Sequence, residues 1–380
     1  MRWRFSGRLL GLALAVTAAN PAVAGEAKRS SFGRLPDGRE VEMVTLANGR
    51  GVTARLITYG ASIQSVLLPD GRGGTVDVAL GYATLREYLD KPQYFGSTVG
   101  RFANRIARGR FRLDGKTYQT PVNNGENALH GGTRGFDKVN WTVASVKSGP
   151  TASVTMRHVS PDGDQGYPGT LTVEATYSLD EADALTIEYR ATTDKPTIVN
   201  ITNHAYWNLA GEGSADGAMG HVVTIPAETF LPTDAGSIPT GELKPVEGTP
   251  FDFRRPRAVG DRVRDASDGQ IVFGRGYDHN WVVGRAVTPD LHLMARVVEP
   301  KSGRGFELLS NQPGVQFYSG NFLDATSSGK SGRLYRMGDT VVFEPQLFPD
   351  TPNRPDFPSA RLDPGRTYRN VIVYRFATGR

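Results

Sequence analysis

The 380-residue chain contains no cysteine, which excludes disulfides, thiolate nucleophiles and cysteine metal sites together. It also lacks HExxH or any comparable ligand spacing, so a metal site has little support. Histidine is scarce, six in all: His130, His158, His204, His221, His279 and His292. Strong helical periodicity is nearly absent, with YATLREYLD (82–90) the best short helix candidate. No concentrated basic stripe is present, and nucleic acid is not an expected partner.

Long apolar runs are missing as well, except near the start. MRWRFSGRLL carries Arg2, Arg4 and Arg8 and no acid, an apolar run extends from Leu9 to Ala19, and PAVA ends at Ala24. That run is well short of the ~20 residues a membrane span needs. A basic region, a short apolar stretch and a small-x-small site form a secretory signal over 1–24, cleaved after Ala24. Losing three arginines takes the formal charge from +5 to +2. The expected product is exported, periplasmic or secreted, off the membrane after cleavage, and monomeric or homodimeric. No cysteine is available for a lipid anchor.

What the chain does have is alternation broken by turns. Forty-five glycines and 24 prolines punctuate it, as many turns require. VEMVTLANGRGVTARLITYG reads as two strands around Asn48-Gly49, and similar pairs surround Asp70-Gly71 and Asp114-Gly115. Residues 141–159, 169–193 and 366–378 continue the theme, whereas Gly25 to Arg34 reads as a polar lead. Many short strands at close intervals imply an all-β sandwich or barrel. With no repeat or composition shift, 25–380 reads as a single domain, long enough to bury a core without disulfides.

A few residues stand out from this pattern. His204 lies in IVNITNHAYWNLAG, where a strand-like segment stops at a cluster of amides and aromatics. Such groups suit a sugar, whose hydroxyls need directional partners and whose C–H faces lie on rings; a satisfied core histidine fits as well. His130 precedes Gly131-Gly132 in NNGENALHGG, which allows a sharp turn or a close approach to a ligand. In VGRFANRIARG, Asn104 and Arg105 offer sugar-binding groups, although Arg101, Arg105 and Arg108 equally suit a solvated edge. Glu344 follows three apolar residues in VVFEPQLFPDTPNRPDFPS, either as a functional acid or a buried structural one. Asp278, in GYDHNW, is a third candidate. His158 and His292 sit in strand-like alternation and read as structural.

Seven segments, GRFANRIARGRF, NALHGG, TNHAYWNLAGEGS, PTGELKPVEGTPFDF, GYDHNW, QPGVQFYSGNFLD and FEPQLFPDTPNRPDFPS, together resemble the aldose 1-epimerase (galactose mutarotase) family. They come in the family's order over about residues 36–376. The resemblance implies a large antiparallel β-sandwich of the galactose mutarotase type, with an open cleft and no cofactor. It implies that Glu344 is the general base and His204 the general acid. Asn104, Arg105, His130, Asp278 and Gln316 fall where the family holds the sugar. One departure is Pro345, where many members carry a hydroxyl residue after the glutamate.

The implied reaction interconverts α and β anomers of free aldohexoses such as glucose or galactose. A proton leaves the C1 hydroxyl, one reaches the ring oxygen, the ring opens, and closure occurs on the opposite face. Ordinary values of ~4.3 for Glu and ~6.5 for His set a carboxylate opposite an imidazolium near neutrality. A glycoside hydrolase needs two carboxylates, for which Asp278 and Glu344 are candidates, but the central histidine argues against it. A sugar-binding module has no use for a base. A phosphosugar epimerase needs a concentrated cationic pocket, which nothing near His204 or Glu344 in the sequence clearly supplies.

Overall fold

The computed structural model describes residues 25–379; the expected signal, 1–24, lies outside the described residues. Strand alternation sets the architecture. In Thr151–Ser160, Ala152, Val154 and Met156 are buried. Its antiparallel partner Leu171–Asp180 buries Leu171, Val173, Ala175, Tyr177 and Leu179. A period of two gives each strand one apolar face.

Such strands assemble into a nine-stranded sheet. Its order is Thr142–Lys147, Thr151–Ser160, Leu171–Asp180, Ala184–Thr193, Tyr368–Thr378, Arg304–Ser310, His292–Val298, Val222–Thr224 and Arg257–Ala258. A six-stranded sheet runs Tyr206–Trp207, Val341–Gln346, Gly314–Tyr318, Asp278–Val282, Thr229–Leu231 and Lys244–Pro245. A third sheet joins five strands between Glu26 and Asp77. The ladders within these sheets are antiparallel.

The nine- and six-stranded sheets face each other as a β-sandwich. Phe317 and Phe343 stand opposite in register and stack at 4.8 Å, and Phe343 meets Phe306 of the larger sheet at 6.0 Å. Trp207 packs on Tyr374 at 4.8 Å. The same core takes in Val44, Leu46, Ile63 and Val66 of the five-stranded sheet. Truncating Phe343 to Ala empties a fully buried position and costs about 3–5 kcal/mol.

The hairpins form where the turn residues indicate. Asp114 and Gly115 both have positive φ, 49° and 77°, joining Arg110–Leu113 to Lys116–Gln119, as a tight primed turn requires. Leu85–Asp90 is a helix, closed at its start by reciprocal bonds between Thr84 and Glu87. The polar lead differs from expectation: Glu26–Arg34 is a strand paired with Glu40–Ala47. Ladder bonds between main-chain groups hold it, so its exposed side chains carry no periodic signal. A second short helix, Gly269–Gly274, starts at Asp268, whose carboxylate accepts from the Gln270 N–H at 2.8 Å. No helix among the described residues is long and apolar enough to cross a membrane.

Candidate active site

Alternation also decides what the outer face of the six-stranded sheet carries. Val341 and Phe343 join the sandwich core, so Glu344 points the other way. Val315 and Phe317 do the same on the neighbouring strand, which turns Gln316 and Tyr318 outward with Glu344. In register, Gln316 stands opposite Glu344 on one side and Asn280 on the other, while Asp278 stands opposite Tyr318. The Pro345 carbonyl accepts from Thr202 Oγ1 at 2.8 Å and Asn370 Nδ2 at 3.0 Å, which fixes the backbone beside Glu344 despite the missing N–H.

His204 arrives from another element. Thr202–His204 pairs with Ser97–Val99, and the His204 carbonyl accepts from the Gly96 N–H at 3.0 Å. This brings His204 Nε2 to 3.6 Å from Glu344 Oε1, with both side chains buried. The His204 ring lies between Tyr206 and Tyr94, at 5.0 and 5.6 Å and nearly parallel to each. Together these residues form one wall of a cleft of about 190 Å³, on the scale of one sugar ring.

Further lining comes from the loops after residue 100, where the His130 ring packs on His204 and Tyr94 at 5.2 and 4.6 Å. The Asn104 N–H donates to His130 Nδ1 at 3.1 Å, and the His130 N–H donates back to the Asn104 carbonyl at 3.0 Å. Both residues are in the left-handed region, φ 63° and 50°, where a non-glycine residue is strained and typically held by its surroundings. Gly131 serves this geometry: a Cβ there would sit 1.9 Å from the Gly100 carbonyl oxygen. The close approach is to backbone, not to a ligand. Because Nδ1 accepts, the neutral His130 ring carries its proton on Nε2.

Arg105 donates to Asn124 Oδ1 at 3.0 Å, and its Nη1 lies 3.6 Å from Asp278 Oδ2. Asp278 Oδ1 accepts from Gln316 Nε2 at 2.8 Å. Asn104, Arg105, His130, His204, Asp278 and Glu344 all line the cleft. Gln316 does not. It stands behind Asp278 and positions it, with its own Oε1 buried and unpartnered.

Electrostatics separate the two histidines. Burial lowers His204 to about 3. Burial also lowers His130 well below its ordinary value, and His204, Arg105 and Lys138 push it further down. Burial raises Glu344 well above the usual carboxylate range, with Asp278 adding to the rise and Arg105 opposing it. These shifts favour a neutral acid–imidazole pair rather than the carboxylate–imidazolium pair that unperturbed values give. Desolvation of both charges is the reason.

The three arginines near residue 100 have three fates. Arg101 is buried and bonds the carbonyls of Ser160, Pro161, Pro168 and Gly169. Arg105 enters the site, and Arg108 is exposed. His221 and His279 are structural: the first accepts from the Leu209 N–H, and the second accepts from the Asp278 N–H. His158 packs against Phe136 and Trp141, and His292 bonds Thr288 at the surface. Tyr94, Asn124, Tyr318 and Phe322 line the cleft unforeseen. Tyr318 and Phe322 lie inside a segment that carried the resemblance, whereas Tyr94 and Asn124 lie outside all seven.

His130, His204 and Glu344 also gather their donor atoms within 4.8 Å, a cluster invisible in chain spacing. Ligands at ~2.0–2.2 Å around one tetrahedral ion lie about 3.3–3.6 Å apart. Holding an ion would require the set to contract.

The family described as Aldose 1-epimerase matches residues 42–375. The chain belongs to the aldose 1-epimerase family. Galactose mutarotase of Sus scrofa is 44% identical over 350 residues, covering 92% of this chain and 98% of that protein. Aldose 1-epimerase of Escherichia coli K12 is 36% identical over 343 residues, covering 90% and 96%. Among solved structures, galactose 1-epimerase from Lactobacillus acidophilus superposes with a TM-score of 0.82 at 27% identity, covering 93% and 99%. An aldose epimerase homologue from C. elegans gives 0.79 at 33% identity, covering 89% and 99%. This aldose 1-epimerase family member is a carbohydrate isomerase.

Proposed function

We propose that the chain interconverts the α and β anomers of a free aldohexose such as glucose or galactose, with Glu344 and His204 moving the protons. The observation that carries this reading is the 3.6 Å approach of His204 Nε2 to Glu344 Oε1 in a cleft of sugar-ring size. In ring opening Glu344 takes the proton from O1, His204 gives one to O5, the C1–O5 bond breaks and C1 becomes an aldehyde. Rotation about C1–C2 presents the other face, and closure reverses both transfers. No electrons leave the sugar, so the reaction needs no redox cofactor.

The pair holds one proton throughout. It is carboxylate and imidazolium before opening, carboxylic acid and imidazole after it. Burial raises Glu344 and lowers His204, which favours the second arrangement and makes the carboxylate a stronger base toward O1.

His204 takes the acid role because it faces a carboxylate that stabilises its imidazolium. His130 also lies near Glu344, but burial, His204, Arg105 and Lys138 all disfavour a charged ring there, and it serves as a neutral Nε2–H donor to a hydroxyl. Asn104 and Arg105 hold further hydroxyls, and Asp278 accepts from the one adjacent to C1. A hydrolase would use Asp278 and Glu344 as two free carboxylates across the scissile bond; the neighbour of Glu344 is instead the His204 imidazole, and Asp278 is engaged by Arg105 and Gln316.

Polarimetry on freshly dissolved α-glucose and α-galactose tests the reaction. Accelerated approach to anomeric equilibrium is expected, without release of chromophore from aryl glycosides. Chromophore release in place of mutarotation would support the hydrolase instead. Export belongs to the same reading, on the basic, apolar and small-residue order of 1–24. Protein recovered from the periplasm or medium should begin at Gly25, and retention of Met1 there would overturn it.

A further inference from the structure

A second groove, of about 1050 Å³, runs beside the cleft. The two share Arg105, Asn124 and Phe322 on their walls, so they form one continuous depression. His204 and Glu344 line only the smaller part. A sugar with C1 on that pair therefore meets the groove on its far side, where Arg105 stands.

The groove is strongly one-signed. Arg108, Arg110 and Arg275 line it with Arg105, Arg112 and Arg354, against the acids Glu126 and Asp234. Asp234 is occupied by the N–H groups of Gly236 and Ile238. Arg105 is turned to Asp278 and Arg354 to Asp350, whereas Arg108, Arg110 and Arg275 make no ion pair among the described residues. Two aromatic rings are exposed between them, Phe273 at 42% and Phe322 at 47%, with the Arg275 guanidinium 5.5 Å from the Phe322 ring centre. Exposed rings offer faces for pyranose C–H groups, and unpaired guanidinium forks match carboxylates. The sequence only partly showed this concentration of charge, because its members come from three separate segments, 105–112, 275 and 354.

We infer that the groove binds the remainder of an acidic oligosaccharide whose reducing-end sugar occupies the cleft, so that the enzyme mutarotates anionic oligosaccharides as well as free hexoses. This rests on the anomer-interconverting reading of the cleft. A uronic acid joined at the far side of the reducing sugar supplies both the second ring and the carboxylate. A sugar phosphate supplies the charge without the ring.

The test compares mutarotation of glucose, cellobiose, glucuronosyl-β-1,4-glucose and glucose 6-phosphate by wild-type enzyme and by Arg108→Ala/Arg110→Ala/Arg275→Ala. The wild type should favour the acidic disaccharide over cellobiose by about tenfold in kcat/KM, the scale of one charge-assisted contact. That advantage should shrink at high salt and vanish in the triple variant, with the glucose rate unchanged. Equal rates on the two disaccharides, or an advantage that survives the triple substitution, would overturn the inference. So would a preference for glucose 6-phosphate over glucose with none for the acidic disaccharide. If the triple variant fails to fold, the wild-type preference and its salt dependence decide. Absence of glucose mutarotation by wild type would instead remove the underlying reaction.

Discussion

His204 Nε2 lies 3.6 Å from Glu344 Oε1, yet the two are held by different elements. Glu344 belongs to the six-stranded sheet, and His204 to a short strand paired with Ser97–Val99. Neither sheet alone makes a proton-transferring pair. Their packing sets a buried carboxyl beside a buried imidazole, as the proposed exchange of one proton with a sugar requires.

The two histidines should respond differently to the same change. His204→Asn removes the proposed proton donor to O5 and should lower kcat about 10²–10⁴-fold. His130→Asn removes a neutral donor and should act mainly on KM, by about tenfold. Steady-state kinetics on galactose separate them. A large kcat loss in His130→Asn with a mild one in His204→Asn would move the acid role to His130.

The pH profile follows from the shared proton. With two protons the pair has no base, and with none it has no acid, so the limbs belong to the pair. Burial lowers His204 to about 3, so the second proton is added only in strong acid. Burial raises Glu344 above its ordinary 4.5, so the last proton leaves above that value. The kcat/KM profile should therefore hold its plateau through 4.5, falling on the acid side only below it. An acid limb at or above 4.5 would show Glu344 titrating as an ordinary carboxylate and contradict the buried pair.

Much of the fold was legible because alternation and turn residues are local. Asp114-Gly115, Thr84 and the apolar positions of 151–180 act over a few residues, and the sandwich follows from them. Glu344 was conspicuous because an acid broke an apolar run. His204 stood out by its cluster of amides and aromatics, but its contact with Glu344 was in no local pattern, since the 3.6 Å approach spans 140 positions and depends on the packing of two elements. Arg101, Arg105 and Arg108 share one motif but take buried, site and surface positions, a division made by tertiary contacts alone. Gln316 lay in the right segment, but only its register with Glu344 and Asn280 and its hydrogen bond to Asp278 put it behind the site. Tyr94 stood out in no local pattern.

Stability should reflect the cost of burying Glu344. Its folded value lies above the unfolded 4.5, so the folded state binds this proton more tightly. The corresponding stability is fully present below 4.5 and is lost as pH rises through the folded value. Glu344→Gln cannot ionise and should be more stable than wild type at about pH 8, by up to about 1.4 kcal/mol per pH unit of the shift. Near pH 4 the difference should close. Denaturant midpoints at the two pH values check this, and a variant less stable at pH 8 would mean that folded contacts compensate the charge.

The proposed mechanism makes Glu344 the base of a one-proton pair that inverts C1. Polarimetry of fresh α-galactose with Glu344→Gln, beside a direct measurement of galactose binding, tests it most directly. The expected result is loss of enzymatic mutarotation by about 10²–10⁴-fold or more, with galactose still bound at near wild-type affinity. Mutarotation at close to the wild-type rate in that variant would contradict the assignment.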